Sequence, residues 1–260
     1  MRFHPINRRN FLITSGILLG RSLFSFCLPG LALGINKPTK FSRKKVAIIV
    51  DDLGYSLKKG REFSEIPANL TFSILPGLPH SKDIAKEAAI KNREVILHQP
   101  MEPHDPSFDP GPGAIYKRYT HEQIYEILLR NLLSIPHATG INNHMGSKFT
   151  ESKESMVAAL YPVKENRTFF IDSRTSPNSV AFYVAKRLNI SAAYCNVFLD
   201  EVKEKDAIIK KLKFLKRYAL KYGKGIGIAH PYHVTIQAIR EFLPEFSVAG
   251  IKIAPASQLL

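Results

Sequence analysis

From residue 46 onward, short apolar runs alternate with amphipathic stretches. The runs 46–50, 70–75, 94–97, 168–171, 226–229 and 248–253 are rich in Val, Ile, Leu and Phe. They are too short for helices, so they predict strands. Weaker strands are predicted just before Asn142 and near 192–195. Thr120, His121, Glu122 and Gln123 read as a capping box that opens a helix with Ile124, Ile127, Leu128 and Leu132 on one face. A second helix is predicted over 204–222, with Ile208, Leu212, Leu215 and Ala219 on one side. His233 reads as the start of a third. Strand and helix in alternation predict an α/β fold with a parallel sheet. Residues 99–119 interrupt the pattern with a long loop rich in Pro, Gly and Asp, of the kind that caps a site.

In parallel α/β folds, sites form at the carboxyl ends of the strands. The residues that follow each apolar run are polar and reactive. Run 46–50 leads to Asp51 and Asp52. Run 94–97 leads to His98, with Glu102 four residues on. Gly140 and Ile141 lead to Asn142, Asn143 and His144. Run 168–171 leads to Asp172, Ser173 and Arg174; residues 197–199 lead to Asp200; run 226–229 leads to His230. Asp and His together make an oxygen and nitrogen ligand set for Zn²⁺ or a related divalent ion. Such an ion lowers the pKa of bound water and polarises a carbonyl, which points to metal-assisted hydrolysis. Adjacent acids at a strand end can divide the work, one as ligand and one as general base. Asp172 and Arg174 fit either a site or a structural ion pair. His80, His104, His121 and His137 lie in loop or polar contexts and carry no expected role.

Charge adds an address. The chain has 37 Lys and Arg against 22 Asp and Glu, a formal charge of +15. Arg2, Arg8, Arg9 and Arg21 fall in the first 34 residues, where no acid occurs, and an apolar stretch follows Arg8-Arg9-Asn10-Phe11-Leu12. This layout predicts a removable export signal over 1–34, of twin-arginine type, and hence an exported, periplasmic protein with no membrane span after processing. Cys27 leaves with that signal, so Cys195 stays unpaired. Residues 35–45 form a basic lead-in and 46–260 one domain. Roughly 215 residues is near the small end for a β/α barrel. The helix at 204–222 carries many lysines, which form a solvated face or a contact surface for anionic envelope components. No zinc-finger spacing, RNA-binding aromatic motif or Walker loop occurs, so nucleic acid is not an expected partner. Trp is absent, so stacking on a sugar falls to Tyr116, Tyr119 or Tyr232.

The motifs Val50-Asp51-Asp52-Leu53-Gly54, His98-Gln99-Pro100-Met101-Glu102, Asn143-His144-Met145-Gly146, Ile171-Asp172-Ser173-Arg174 and Ala229-His230-Pro231 together resemble the divergent polysaccharide deacetylase family. The likeness runs in order over about residues 45–260. It implies a distorted parallel β/α barrel with fewer than eight full units. It also implies metal-dependent removal of acetyl groups from amino sugars in an envelope polysaccharide. By the same likeness Asp51 matches the catalytic base, Asp52 the metal-binding acid, His98 the first metal-binding His and His230 the general acid. The wider superfamily places a second His four residues after the first, where this chain has Glu102. His144 is the expected third ligand, with Glu102 as the alternative. Asp172, Arg174 and Asn143 are expected as substrate-binding or supporting residues. The alternative function is a glycan-binding protein that keeps the fold without turnover.

Overall fold

The computed structural model describes residues 44–260. The expected export signal and most of the basic lead-in lie outside the described residues. The elements run β1 (Lys45–Leu53), α1 (Leu57–Ser64), β2 (Thr71–Ile74), α2 (Ser81–Ile90), β3 (Glu94–Met101) and α3 (His121–Ser134). They continue β4 (Ala138–Met145), α4 (Lys153–Glu165), β5 (Phe169–Asp172), α5 (Ala181–Arg187), β6 (Ala192–Tyr194) and β7 (Val197–Phe198). The last are α6 (Lys205–Tyr222), β8 (Lys224–Ala229), α7 (His233–Val248), β9 (Lys252–Ile253) and a closing 3-10 turn, Ala256–Leu259.

Every strand pairing is parallel. The sheet order is β6-β5-β4-β3-β2-β1-β8-β7, with β9 added to β1. The sheet curls into an incomplete β/α barrel with a seam between β6 and β7, the two ends of that order. Parallel strands need crossovers, and the helices supply them on the outer face.

Two apolar layers follow from the period-two alternation of the strands. Val46, Ile48 and Val50 of β1 join the helices in the outer layer, with Phe63, Leu128, Leu212 and Phe242. Ala47 and Ile49 turn to the inner layer, with Ile96, Phe169, Ile171, Ile226 and Ile228. Ala254, Ala256 and Leu259 of the C-terminal segment join that inner layer and fill the barrel from its amino-terminal end.

The Thr120 capping box is present: Gln123 N–H donates to Thr120 Oγ1 and Thr120 N–H to Gln123 Oε1. Helix α6 buries the four expected residues, Ile208, Leu212, Leu215 and Ala219. One strand differs from expectation. Val248 is the last residue of α7, and only Lys252–Ile253 of the run 248–253 is extended. Phe242 and Phe246 continue the apolar stripe of the helix, and Gly250 turns the chain at φ 67°.

Strand β3 also runs further than its apolar run, into the expected loop. Gln99 faces the helices, where its amide donates to Gly113 O and accepts from Asn131 of α3. Ile115 is buried and bonds back to the end of β3. The loop after Met101 is thereby tied to the outer layer at α3. Among the described residues, no helix is long and apolar enough to cross a membrane.

A candidate metal centre at the top of the barrel

The inner-face alternation that places Ala47 and Ile49 in the core carries on past the apolar layer. One step up the same face come Asp51 on β1, Ser73 on β2, His98 on β3, and Asn142 and His144 on β4. His230 follows β8 on that face, and Asp200 follows β7. Polar side chains thus replace apolar ones at the carboxyl end of one inner surface.

Asp52 would point outward if β1 continued regularly. Its backbone instead adopts φ 57°, the left-handed region that a non-glycine residue enters only when its surroundings hold it there. Both carboxylates therefore reach the same space.

Three atoms converge. Asp52 Oδ1 lies 3.2 Å from His98 Nε2 and 3.0 Å from His144 Nδ1. The two nitrogens are 3.1 Å apart. In a four-coordinate site with bonds of about 2.1 Å, ligand atoms lie about 3.4 Å from one another. The observed triangle is a few tenths of an ångström tighter. Asp52 Oδ1 is buried and accepts no well-aligned hydrogen bond. An orphaned anionic oxygen facing two ring nitrogens suits a cation. Burial alone would raise the Asp52 pKa, but the His144 and His98 imidazoles beside it hold it well below the usual carboxylate range. These donors fit a divalent ion.

The surrounding hydrogen bonds fix the protonation pattern. Asn142 Nδ2 donates to Asp51 Oδ1 at 2.8 Å, so its Oδ1 faces the other way. That oxygen accepts from Ser73 Oγ at 2.7 Å and lies 2.8 Å from His98 Nδ1. His98 Nδ1 must then carry the proton, leaving the Nε2 lone pair free for a cation. Asp51 Oδ2 is 3.6 Å from His98 Nε2, beside the triangle but outside it.

On the other side, His230 Nε2 is 3.9 Å from Asp52 Oδ2. Its Nδ1 pairs with Asp200 Oδ1 at 2.8 Å. Asp200 Oδ2 accepts from His230 N–H and from Thr235 Oγ1. Burial disfavours the imidazolium, but Asp200, with Asp51 and Asp52 behind it, outweighs burial and raises the His230 pKa to about 9. A cavity of about 180 Å³ opens beside Asp52, lined among others by Tyr55, Lys59, Pro231 and Tyr232.

The other expected residues lie elsewhere. Glu102 is ion-paired with Lys148 at 2.7 Å and accepts Lys117 N–H, tying the loop after β3 to the turn after β4. Asp172 has outward parity on β5. Its carboxylate accepts from Arg174 N–H, Ser179 Oγ and Phe182 N–H and so anchors the start of α5. Asn143 is the outward neighbour of Asn142 and bonds Ser173 N–H and Met145 O. Arg174 makes no ion pair with Asp172; its guanidinium lies 4.0 Å above the Tyr194 ring. Tyr116 and Tyr119 line a groove against α3 that shares no residue with the cluster.

The sequence reading did not single out Asn142 or Ser73, and it gave Asp200 no defined task. Strand parity carried the missing signal, because Gly140, Asn142 and His144 share a face.

An incomplete parallel barrel with an Asp-His-His cluster at the carboxyl ends of its strands defines a polysaccharide-deacetylase-like protein. The chain belongs to the divergent polysaccharide deacetylase family, whose model matches residues 48–260. An uncharacterized protein of Haemophilus influenzae is 30% identical over 200 residues, 77% of this chain and 71% of that protein. The solved structure of the uncharacterized protein ATU2773 from Agrobacterium tumefaciens superimposes with a TM-score of 0.80 at 25% identity. That match covers 84% of this chain and 89% of the other. BA3943 of Bacillus anthracis, described as a CE4 family pseudoenzyme, shares the fold at a TM-score of 0.50 and 14% identity, covering 84% of this chain and 65% of its own.

Proposed function

We propose that the protein is an exported hydrolase that uses a divalent ion, Zn²⁺ by ligand type, to remove acetyl groups from N-acetylated amino sugars of an envelope polysaccharide. The observation that carries this reading is the flanking of the Asp52, His98 and His144 triangle by two proton carriers of opposite task. A divalent ion held there supplies the charge that acidifies water and polarises an acetyl carbonyl.

Asp51 is the base. Its Oδ1 is held by Asn142, which leaves Oδ2 to take a proton. His230 is the acid. Asp200 holds it and favours its charged form, with Nε2 turned toward the cluster, from where it protonates the departing amine. The cavity beside Asp52 gives the sugar a wall in Tyr232. Arg8, Arg9 and the apolar stretch after them support export.

The test is metal content and turnover in one set of variants. The wild type is expected to bind one equivalent of divalent ion and to release acetate from an N-acetylated oligosaccharide. Asp51→Asn keeps the ion and loses at least a hundredfold in turnover. His98→Ala or His144→Ala loses the ion. Less than about a tenth of an equivalent after adding Zn²⁺, or normal turnover in Asp51→Asn, overturns the mechanism. Retained glycan binding without turnover in the wild type would instead favour the glycan-binding reading.

A further inference from the structure

The seam between β6 and β7 holds an open surface cavity of about 430 Å³, lined by Ser173, Arg174, Phe198, Glu201, Lys211 and Phe214, of which Arg174, Glu201 and Phe214 are exposed. Four observations give it a chemistry. Ser173 is buried, shares the inner-face parity of Phe169 and Ile171, and its Oγ has no hydrogen-bond partner. A buried hydroxyl without a partner marks a place where a ligand atom completes the bonding.

The Arg174 guanidinium is the second. Its Cζ lies over the Tyr194 ring, 4.0 Å from the centroid, while its backbone N–H is tied to Asp172. Among the described residues, none of its side-chain N–H groups donates to a protein acceptor and no carboxylate pairs with it. The third is charge balance. Lys211 is neutralised by Glu201 at 2.7 Å, which leaves Arg174 as the uncompensated cation of the cavity. The fourth is position. Phe198 lines the cavity and stacks on His230, with rings 6.3 Å apart and 9° from parallel. One aromatic ring separates the cavity from the acid of the proposed reaction.

We infer that this seam cavity is a subsite for a carboxylate-bearing sugar next to the one that reacts. The guanidinium over Tyr194 offers its planar fork to the carboxylate, Ser173 Oγ donates to the same group or to a neighbouring hydroxyl, and Phe198 and Phe214 contact the sugar ring. The inference rests on the deacetylase reading for the neighbouring site. It narrows the substrate class to an acidic glycan.

The test measures equilibrium binding, so an absence of turnover leaves it intact. Full-length protein is titrated by calorimetry with three probes. These are an N-acetylmuramic acid disaccharide, a hyaluronan tetrasaccharide with uronate carboxylates, and neutral di-N-acetylchitobiose. At least one acidic probe is expected to bind more tightly than the neutral one. Arg174→Gln should weaken the tighter acidic probe about tenfold, and Ser173→Ala by a smaller factor, with chitobiose affinity changed less than twofold. The probe that responds identifies the carboxylate as lactyl or uronate. Arg174→Lys keeps the charge but not the fork and should recover only part of the loss. Equal affinity for acidic and neutral probes overturns the inference. So does an equal loss for both in Arg174→Gln, which would mark Arg174 as a structural prop of Tyr194.

Discussion

Asn142 concentrates the logic of the centre in one side chain. It donates to the proposed base, accepts from the ring that faces the cation site, and is fully buried. Replacing it with Leu fills a similar volume but leaves Asp51 Oδ1, His98 Nδ1 and Ser73 Oγ without their partner. Stability is expected to fall by about 2–4 kcal/mol and divalent-ion affinity by about 10–100-fold. Urea unfolding and metal titration read the two effects separately. A variant that loses neither would show that the amide is a spacer.

Asp200 acts at the same scale through charge. The His230 pKa is raised from its ordinary 6.5 to about 9, so its contribution to stability is fully present below about 6.5 and is lost as pH rises through 9. In the metal-free protein, Asp200→Asn should bring the His230 titration down by more than one unit, read by NMR. The variant should be less stable than wild type at pH 6 and nearly equal to it at pH 10. Wild-type titration in the variant would remove Asp200 from the account.

At the scale of elements, parity decides what a strand delivers. Asp51, His98 and His230 were legible because each breaks an apolar run whose face is already set. Asp52 joins them only through its left-handed backbone, which no pattern of apolar residues announces. The pair Asn142 and Asn143 separates only through parity with His144, since Gly140 and Ile141 alone make too short a run to fix the face. Asp172 follows an apolar run as Asp51 does, but on the outer parity, where it supports the fold by anchoring α5. The run 248–253 misled for a related reason, because a helix ending in Phe246 and Val248 looks locally like a strand.

Gly140 shows how tightly β4 is held in place. A Cβ there would lie 2.5 Å from the Phe169 ring of the neighbouring strand. Gly140→Ala must therefore push Phe169 aside within the inner layer, two residues below Asn142. The expected cost is about 1–3 kcal/mol, with a loss of metal affinity because β4 carries both Asn142 and His144. Unchanged stability and affinity would mean that the ring has free space the packing does not suggest.

The barrel as a whole depends on a segment far from its chemistry. Strand order leaves β6 and β7 unpaired with each other, so the curl is not closed by hydrogen bonds along that seam. Something else must hold the inner layer dry at its lower end. Leu259 does so from within the C-terminal turn, at 2% exposure, beside Ala254 and Ala256 and against Ile226 and the base of β1. The chain is fastened there by β9 pairing with β1, by Lys224 Nζ donating to Leu259 O, and by Ala256 N–H donating to Thr71 Oγ1. Leu259→Ala should cost about 2–4 kcal/mol through the cavity it leaves under the sheet. The metal triangle sits at the opposite end of the strands, so metal affinity should stay within about twofold at temperatures where the variant is folded. Thermal melts with and without Zn²⁺ make the comparison. The variant's melting point should drop while the shift on adding metal keeps its size. A collapse of that shift would show that the inner layer transmits strain along the full length of the strands, and that the plug is part of the site's geometry.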